Sequence, residues 1–285
     1  MRKGKASRTA QFITYNRALG TLAPEVPGFS DPLAVRFLPA KWQAKIARAG
    51  RKGQPAYPFW LRGMGLFNQF RTVVFDRAIG EAAPVEQLVI LGAGFDTRAW
   101  RLDTLREAVV FEVDHPDTQR VKRERAAGIP LKAREVRFVA TDFHEGDLAR
   151  LLRAAGFDGR RPACWLWEGV TMYLRAEAVA ANLGTFAALS APGRRLTLTY
   201  MRKDGDRVPR SLFLALMGEP VRSGYSPAEI TDVARRYGWE CRRDSGIEDW
   251  MREIAPGLRL TKRQAGMQWF ERIWTGTLAG GHQGA

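Results

Sequence analysis

The stretch Leu88 to Leu102, LVILGAGFDTRAWRL, constrains the chain more than any other. Its apolar run, Leu88 to Leu91, stops at Gly92-Ala93-Gly94, and a helix-compatible segment, Thr97 to Leu105, follows at once. A strand, a glycine turn and a helix start bring backbone N–H groups close to a nucleotide-like ligand. A second apolar run, Val109 to Val113, ends in acid, with Glu112 and Asp114 two apart and so on one side of a strand. A carboxylate at the end of the second strand is placed to accept hydrogen bonds from both hydroxyls of a ribose. Thr97 stands where a G-x-G-x-x-G turn has its third glycine, which argues against a dinucleotide enzyme and leaves room for a smaller ligand.

From Gln87 onward strands and helices alternate. Strands are expected over Leu88 to Leu91, Val109 to Asp114, Val136 to Ala140, Ala163 to Trp167 and Arg195 to Tyr200. Helices are expected over Thr97 to Leu105, Asp117 to Ala127, Asp147 to Ala155 and Val179 to Ser190. Such alternation means βαβ units and a parallel sheet with right-handed crossovers. After Tyr200 a polar stretch and a short apolar helix, Ser211 to Met217, interrupt the pattern. Ser226-Pro227-Ala228-Glu229 then opens a helix with a capping box. A strand over Trp239 to Arg243, a helix over Ile247 to Ile254 and a final strand within Met267 to Leu278 complete the reading.

The first 80 residues read as helices packed over the mouth of the core: Thr9 to Leu19, Leu33 to Leu38, Lys41 to Ala49 and a long one within Phe59 to Gly80. In the last, Phe67, Phe70, Val74 and Ala78 recur at helical spacing, with Arg71 and Asp76 as its notable polar members. The division expected is a helical cover over 1–80 and a core over 81–285 with a lid-like insertion at about 202–224.

Net charge is +15, and residues 1–53 hold eleven Lys and Arg against Glu25 and Asp31. Such a segment can meet phosphates or an anionic substrate, yet no base-reading motif accompanies it. A nucleic-acid partner therefore ranks below a small-molecule one. No apolar run approaches the roughly 20 residues of a membrane span, and the basic N-terminus lacks the apolar core of a secretory signal, so a cytoplasmic protein is expected. Cys164 and Cys241 make no disulfide framework, and His115, His144 and His282 lack zinc-ligand spacing; no metal is expected.

Five parallel strands, an acidic end to the second and a late pair of strands suggest a class I S-adenosylmethionine-dependent methyltransferase. The segments LGAGFDTRAWRL, FEVDHPDTQRVKRE, TDFHEG and WEGVTMYL, in this order, resemble the leucine carboxyl methyltransferase-like family, which includes bacterial O-methyltransferases. The resemblance extends over residues 10 to 200 and takes in Arg17-Ala18, Ser30 to Ala34 and Arg71-Thr72. It implies a Rossmann-like fold with a mostly parallel seven-stranded sheet, helices on both faces and S-adenosyl-L-methionine as cofactor. Gly92 and Gly94 would let the backbone approach the methionine and ribose. Asp114, with Glu112 near it, would take the ribose hydroxyls. Asp142 would accept from the adenine amino group, with Phe143 beside the base. Arg71 would pair with the cofactor's carboxylate, and Glu168 would hold its amino group.

Structural alternatives stay open for several of these residues. Arg71 can be an ion pair with Asp76, Asp142 a helix cap and Tyr173 a core residue. Glu168 at the end of a buried strand is harder to explain without a partner. If the acceptor is a hydroxyl, a base must lie within hydrogen-bond reach, and Tyr173, His144 and His115 are the candidates. The family's eukaryotic protein-carboxyl members carry a lysine before the Asp-Pro pair, whereas here that neighbourhood reads Glu25-Val26-Pro27-Gly28-Phe29. The sequence reading therefore favours a small-molecule hydroxyl or carboxylate over a protein C-terminus.

Overall fold

The structure is a computed structural model and describes residues 6–51, 57, 59–141, 147–203, 220–261 and 271–280. Seven strands form one sheet: β1 (Gln87–Leu91), β2 (Val109–Asp114), β3 (Glu135–Ala140), β4 (Ala163–Trp167), β5 (Arg195–Met201), β6 (Trp239–Ser245) and β7 (Glu271–Leu278). Their order is β3-β2-β1-β4-β5-β7-β6. The first five pair in parallel, and β7 runs antiparallel to both β5 and β6. Strand order reverses between β1 and β4. In an open α/β sheet the carboxyl ends at such a switch point frame the ligand crevice.

The five expected parallel strands lie within a residue or two of those observed. β1 and β4 are buried at every position, so their sequences are continuously apolar. Alternate residues feed two cores. Leu88, Ile90, Val110, Leu166 and Ile273 face one side; Val89, Leu91, Phe111, Val113, Trp165, Trp167 and Leu198 face the other.

Nine α-helices are described: α1 (Arg8–Leu22), α2 (Ala40–Arg51), α3 (Phe59–Glu81), α4 (Arg98–Arg101), α5 (Pro116–Ala126), α6 (Leu148–Ala154), α7 (Ala176–Ala188), α8 (Pro227–Arg235) and α9 (Ile247–Ile254). α8 opens on the expected capping box: Ser226 Oγ accepts from Glu229 N–H and Glu229 Oε2 accepts from Ser226 N–H at 2.8 Å. Two expected helices are shorter and tighter. Thr97 to Leu105 divides into α4 and a 3-10 turn, Asp103–Leu105, because Leu102 between them takes extended backbone angles. Leu33 to Leu38 is a 3-10 turn, Ala34–Phe37, preceded by Asp31, whose Oδ1 accepts from Ala34 N–H. The Ser211 to Met217 helix and residues 267–270 of the last expected strand fall outside the described residues, as does most of the insertion (204–219).

The N-terminal helices join the sheet through α3. Phe67, Phe70, Phe75 and Ile79 share one apolar cluster with Leu88, Ile90, Trp100 and Val110. Each such side chain removed from water contributes about 1.5–3 kcal/mol. α1, α2, the 3-10 turn and the start of α3 gather a smaller cluster, including Leu19, Leu38, Ile46 and Leu61. No helix among the described residues is long and apolar enough to cross a membrane.

Candidate active site

β1 ends in the glycine turn. Gly92 and Gly94 hold φ of 64° and 48°, where a side chain is strained. A Cβ on Gly92 would lie 2.2 Å from Val170 Cγ2, and one on Gly94 would lie 3.2 Å from Ala10 Cβ of α1. The turn is therefore pressed between the loop after β4 and the first cover helix. Ala93 N–H donates to Val113 O, which ties the turn to β2.

Asp114 ends β2 facing this turn. Its Oδ2 accepts from Gly94 N–H and its Oδ1 accepts from His115 N–H at 2.6 Å. Burial raises its pKa, and the two backbone donors and Lys122 oppose that rise. His115 caps α5 through Nδ1, which accepts from Asp117 N–H at 3.2 Å. That gives it a turn role. Glu112, expected beside Asp114 at the ribose, has no exposed surface. Its Oε2 lies 2.6 Å from Lys122 Nζ of α5, so its carboxylate is engaged with a buried ammonium beneath the sheet end.

The carboxyl end of β4 carries Glu168 into a buried ionic chain. Glu168 lies 2.8 Å from Arg71 Nε and 2.8 Å from Arg98 Nη1. Arg71 reaches Glu271 at 2.9 Å, joining α3 to the start of β7 across 200 positions of sequence. Arg98 also binds Asp96 and Asp76, and Arg101 binds the other oxygen of Asp76. Arg17 of α1 holds Asp31 at 2.8 Å and donates to Phe95 O, and Thr97 Oγ1 donates to Asp31 Oδ1. Asp76 therefore partners Arg98 and Arg101, and Arg71 is free of the helix-surface pair that the sequence left open.

For Glu168, Asp96 and Arg71 burial works against the charge, and the partners decide the outcome. Burial raises Glu168, but Arg98 and Arg71 outweigh it and leave its carboxyl below the usual range. Asp96 falls to about 2 despite its burial, through Arg98, Lys122 and Arg17. Arg71 is likewise penalised by burial yet raised by Glu271 and Glu168. Among the described residues, four arginines (17, 71, 98, 101) and five carboxylates (31, 76, 96, 168, 271) make up this chain of ion pairs.

The site brings together Arg71, Gly92, Gly94, Asp114 and Glu168 from the sequence-predicted set. Tyr173 closes the 3-10 turn Thr171–Tyr173 after β4 and is within electrostatic reach of Arg71. Asp142, Phe143 and His144 lie outside the described residues. Sequence reading missed Arg98, Asp96 and Glu271 as site members. The first two stand inside the FDTRAWRL motif, where charges in an otherwise apolar helix start were the available signal. Nothing local to Glu271 marks it.

The family model for leucine carboxyl methyltransferase matches residues 10–187, more than half of the chain. A protein of Mycobacteroides abscessus named for S-adenosyl-L-methionine-dependent methyl transfer is 33% identical over 254 residues, covering 84% of this chain and 80% of its own. One of Mycolicibacterium smegmatis with the same designation is 43% identical over 201 residues, 68% of this chain and 66% of its own. Among solved structures, a DUF574 family protein from Streptomyces avermitilis superposes with a TM-score of 0.60 at 14% identity, covering 95% and 97% of the two chains. A protein from Thermobifida fusca described as a methyltransferase gives 0.58 at 18% identity, covering 98% and 97%. With the glycine turn, the acid-ended second strand and Glu168 all inside the matched region, the chain belongs to the leucine carboxyl methyltransferase family.

Proposed function

We propose that this S-adenosylmethionine-dependent methyltransferase methylates an oxygen, a hydroxyl or carboxylate, of a small acyl- or polyketide-like molecule. The observation that carries the cofactor assignment is the pinned Asp114 facing a glycine turn that a Cβ would fill. The residues present fit S-adenosylmethionine. Gly92 and Gly94 admit its backbone-like portion, and Asp114 keeps lone pairs for two ribose hydroxyls. Asp142 and Phe143 are assigned to the adenine. Arg71 is assigned to the carboxylate and Glu168 to the ammonium, a division that a bidentate guanidinium and a lone acid suit. Glu112 stands behind Asp114 and acts through it.

When bound, S-adenosylmethionine supplies an electrophilic methyl group on its sulfonium. The chain's own contribution is position and dryness. Orientation of two reactants is worth about 7–11 kcal/mol of barrier. α1 lies against Gly94 and α3 delivers Arg71, so the cover and the cofactor pocket are one construction. That supports an enclosed small-molecule site. For a hydroxyl acceptor, Tyr173 and His144 are the base candidates; a carboxylate acceptor needs none. The family's name favours a second reading, methylation of a protein or peptide carboxylate.

Calorimetric titration of S-adenosylmethionine and of NAD, with Asp114→Ala as control, tests the cofactor assignment. Micromolar binding of S-adenosylmethionine lost in the variant is expected, and a folded protein that ignores it sinks the reading. Transfer of labelled methyl to pooled small acids and phenols then separates acceptors: alkali-labile label marks an ester, and alkali-stable label marks an ether.

A further inference from the structure

A groove apart from the assigned site opens at the other end of the sheet. It lies between α3 and α9, over the start of β5 and the end of β7, and has a volume of about 390 Å³. That is within the range of small-molecule pockets. Strand register sets its distance from the cofactor cluster. Met201 pairs with Glu271, which holds Arg71, whereas Arg195 pairs with Thr277 in the groove. Six steps along β5 separate the two, about 20 Å. The floor of the groove is apolar. Val74 and Ala78 line it from α3, and Trp250 and Ile254 line it from α9, the latter two anchored in the core cluster of this face.

Its walls are cationic. Among the described residues, Arg77, Arg195, Arg242 and Arg243 line it against the carboxylates of Glu81 and Glu253. Both acids are engaged: Glu253 pairs with Arg243, and Glu81 lies 3.8 Å from Arg195. Arg242 meets Glu240 at 3.3 Å, and its Nε donates to Thr277 Oγ1 at 3.4 Å. Arg77, exposed on α3, has no ion pair among the described residues. Consecutive residues of a regular strand point to opposite faces. Here Cys241 pairs with Gly276 and Arg243 with Thr275, so Arg242 is an extra residue, and the bulge brings it into the groove beside Arg243. Bulges re-aim side chains in this way. Charge that only guards a sheet edge sits on the edge strand, yet Arg77 lines the same groove from a helix.

We propose that this groove is a second ligand site, taking a small organic anion whose carboxylate or phosphate meets Arg77 and Arg242 and whose apolar body lies on Val74 and Ile254. Guanidinium forks suit both oxyanions. The site does not depend on the cofactor assignment, which concerns the opposite end of the same strands.

The test is calorimetric titration of the full chain with 1-naphthyl phosphate and with 1-naphthoate. Inorganic phosphate and 1-naphthol present the charge and the ring alone. At least one of the two organic anions is expected to bind about tenfold or more tighter than either fragment, and the tighter one identifies the oxyanion. Arg77→Gln and Arg242→Gln, both at exposed positions, are each expected to weaken it about five- to tenfold, and the two together to remove it. Arg235→Gln on α8 controls for net charge and leaves it unchanged. Added S-adenosylmethionine also leaves the affinity unchanged; displacement by it would put the anion in the cofactor site and overturn the proposal. Organic anions that bind no tighter than the fragments, or binding that survives the paired substitution in a folded protein, overturn it equally.

Discussion

The two faces of the sheet are built from alternate residues of the same strands, yet they solve different problems. The face under α6, α7 and α8 is aromatic and apolar: Trp165 stacks on Phe186, Trp167 meets the same ring edge-on, and Trp239 and Trp274 are fully buried beside them. Its polar feature is peripheral, where Tyr200 donates to Asp244 and Asp244 pairs with Arg272. The opposite face, under α3, α4, α5 and α9, interrupts its hydrophobic cluster with Glu112, Lys122, Arg71, Arg98, Asp96 and Glu271, all nine-tenths or more buried. Buried ions contribute little net stability and are costly when one partner is removed. Both faces bury an apolar cluster, and one of them also carries a chain of buried charges.

This contrast can be broken from either side. Trp165→Ala on the aromatic face is expected to cost about 3–5 kcal/mol in denaturant unfolding while the folded fraction keeps its S-adenosylmethionine affinity. Arg98→Met removes the guanidinium that Asp96, Glu168 and Asp76 share and is expected to cost a similar 3–5 kcal/mol, but here cofactor affinity falls with it. If Arg98→Met leaves affinity untouched, the ionic face is structural and the contrast fails.

Asp114→Asn is expected to weaken S-adenosylmethionine by about 10–100-fold, the worth of a charged hydrogen bond of 1.5–3 kcal/mol, with a far smaller change in stability. Calorimetry beside thermal unfolding checks both numbers.

Two acids on the ionic face give opposite pH slopes. Asp96 is depressed to about 2 from 3.8, so its contribution is full above the unfolded value and is lost as pH falls through 2; it amounts to about 2 kcal/mol. Glu112 is raised to about 7 from 4.5, so its contribution is full below 4.5 and is lost as pH rises through 7. Replacing each by its amide and repeating urea unfolding across pH should flatten the matching slope only.

The smallest effect is expected from Glu271→Gln, which removes one acid from beside Arg71. The preference for S-adenosylmethionine over its neutral product should fall a few-fold, on the order of 1 kcal/mol. An unchanged ratio would mean that Glu271 does not act on the sulfonium charge and would leave the rest of the site intact.

The sequence by itself determined the five strands of the parallel half, the glycine turn and the acid at the end of β2, and the structure supplied their order in the sheet. Each rests on local physics: apolar runs fully buried in parallel strands, positive φ at Gly92 and Gly94, and caps such as Ser226. Asp114 and Glu168 were legible for the same reason, standing at strand ends where pockets of such sheets form, whereas Arg71, in the middle of α3, was legible through the family resemblance. Glu112 was legible as an acid near the site, but two-residue spacing says which side of a strand it takes and not how deep it lies. Depth came from α5 packing Lys122 onto it. Only the tertiary structure decided the partners. Arg71 meets Glu271 across 200 positions, and Asp31 meets both Arg17 and Thr97. A charged pair couples through space, so no periodicity or spacing along the chain records it. It exists once α1, α3 and β7 have been brought to the same end of the sheet.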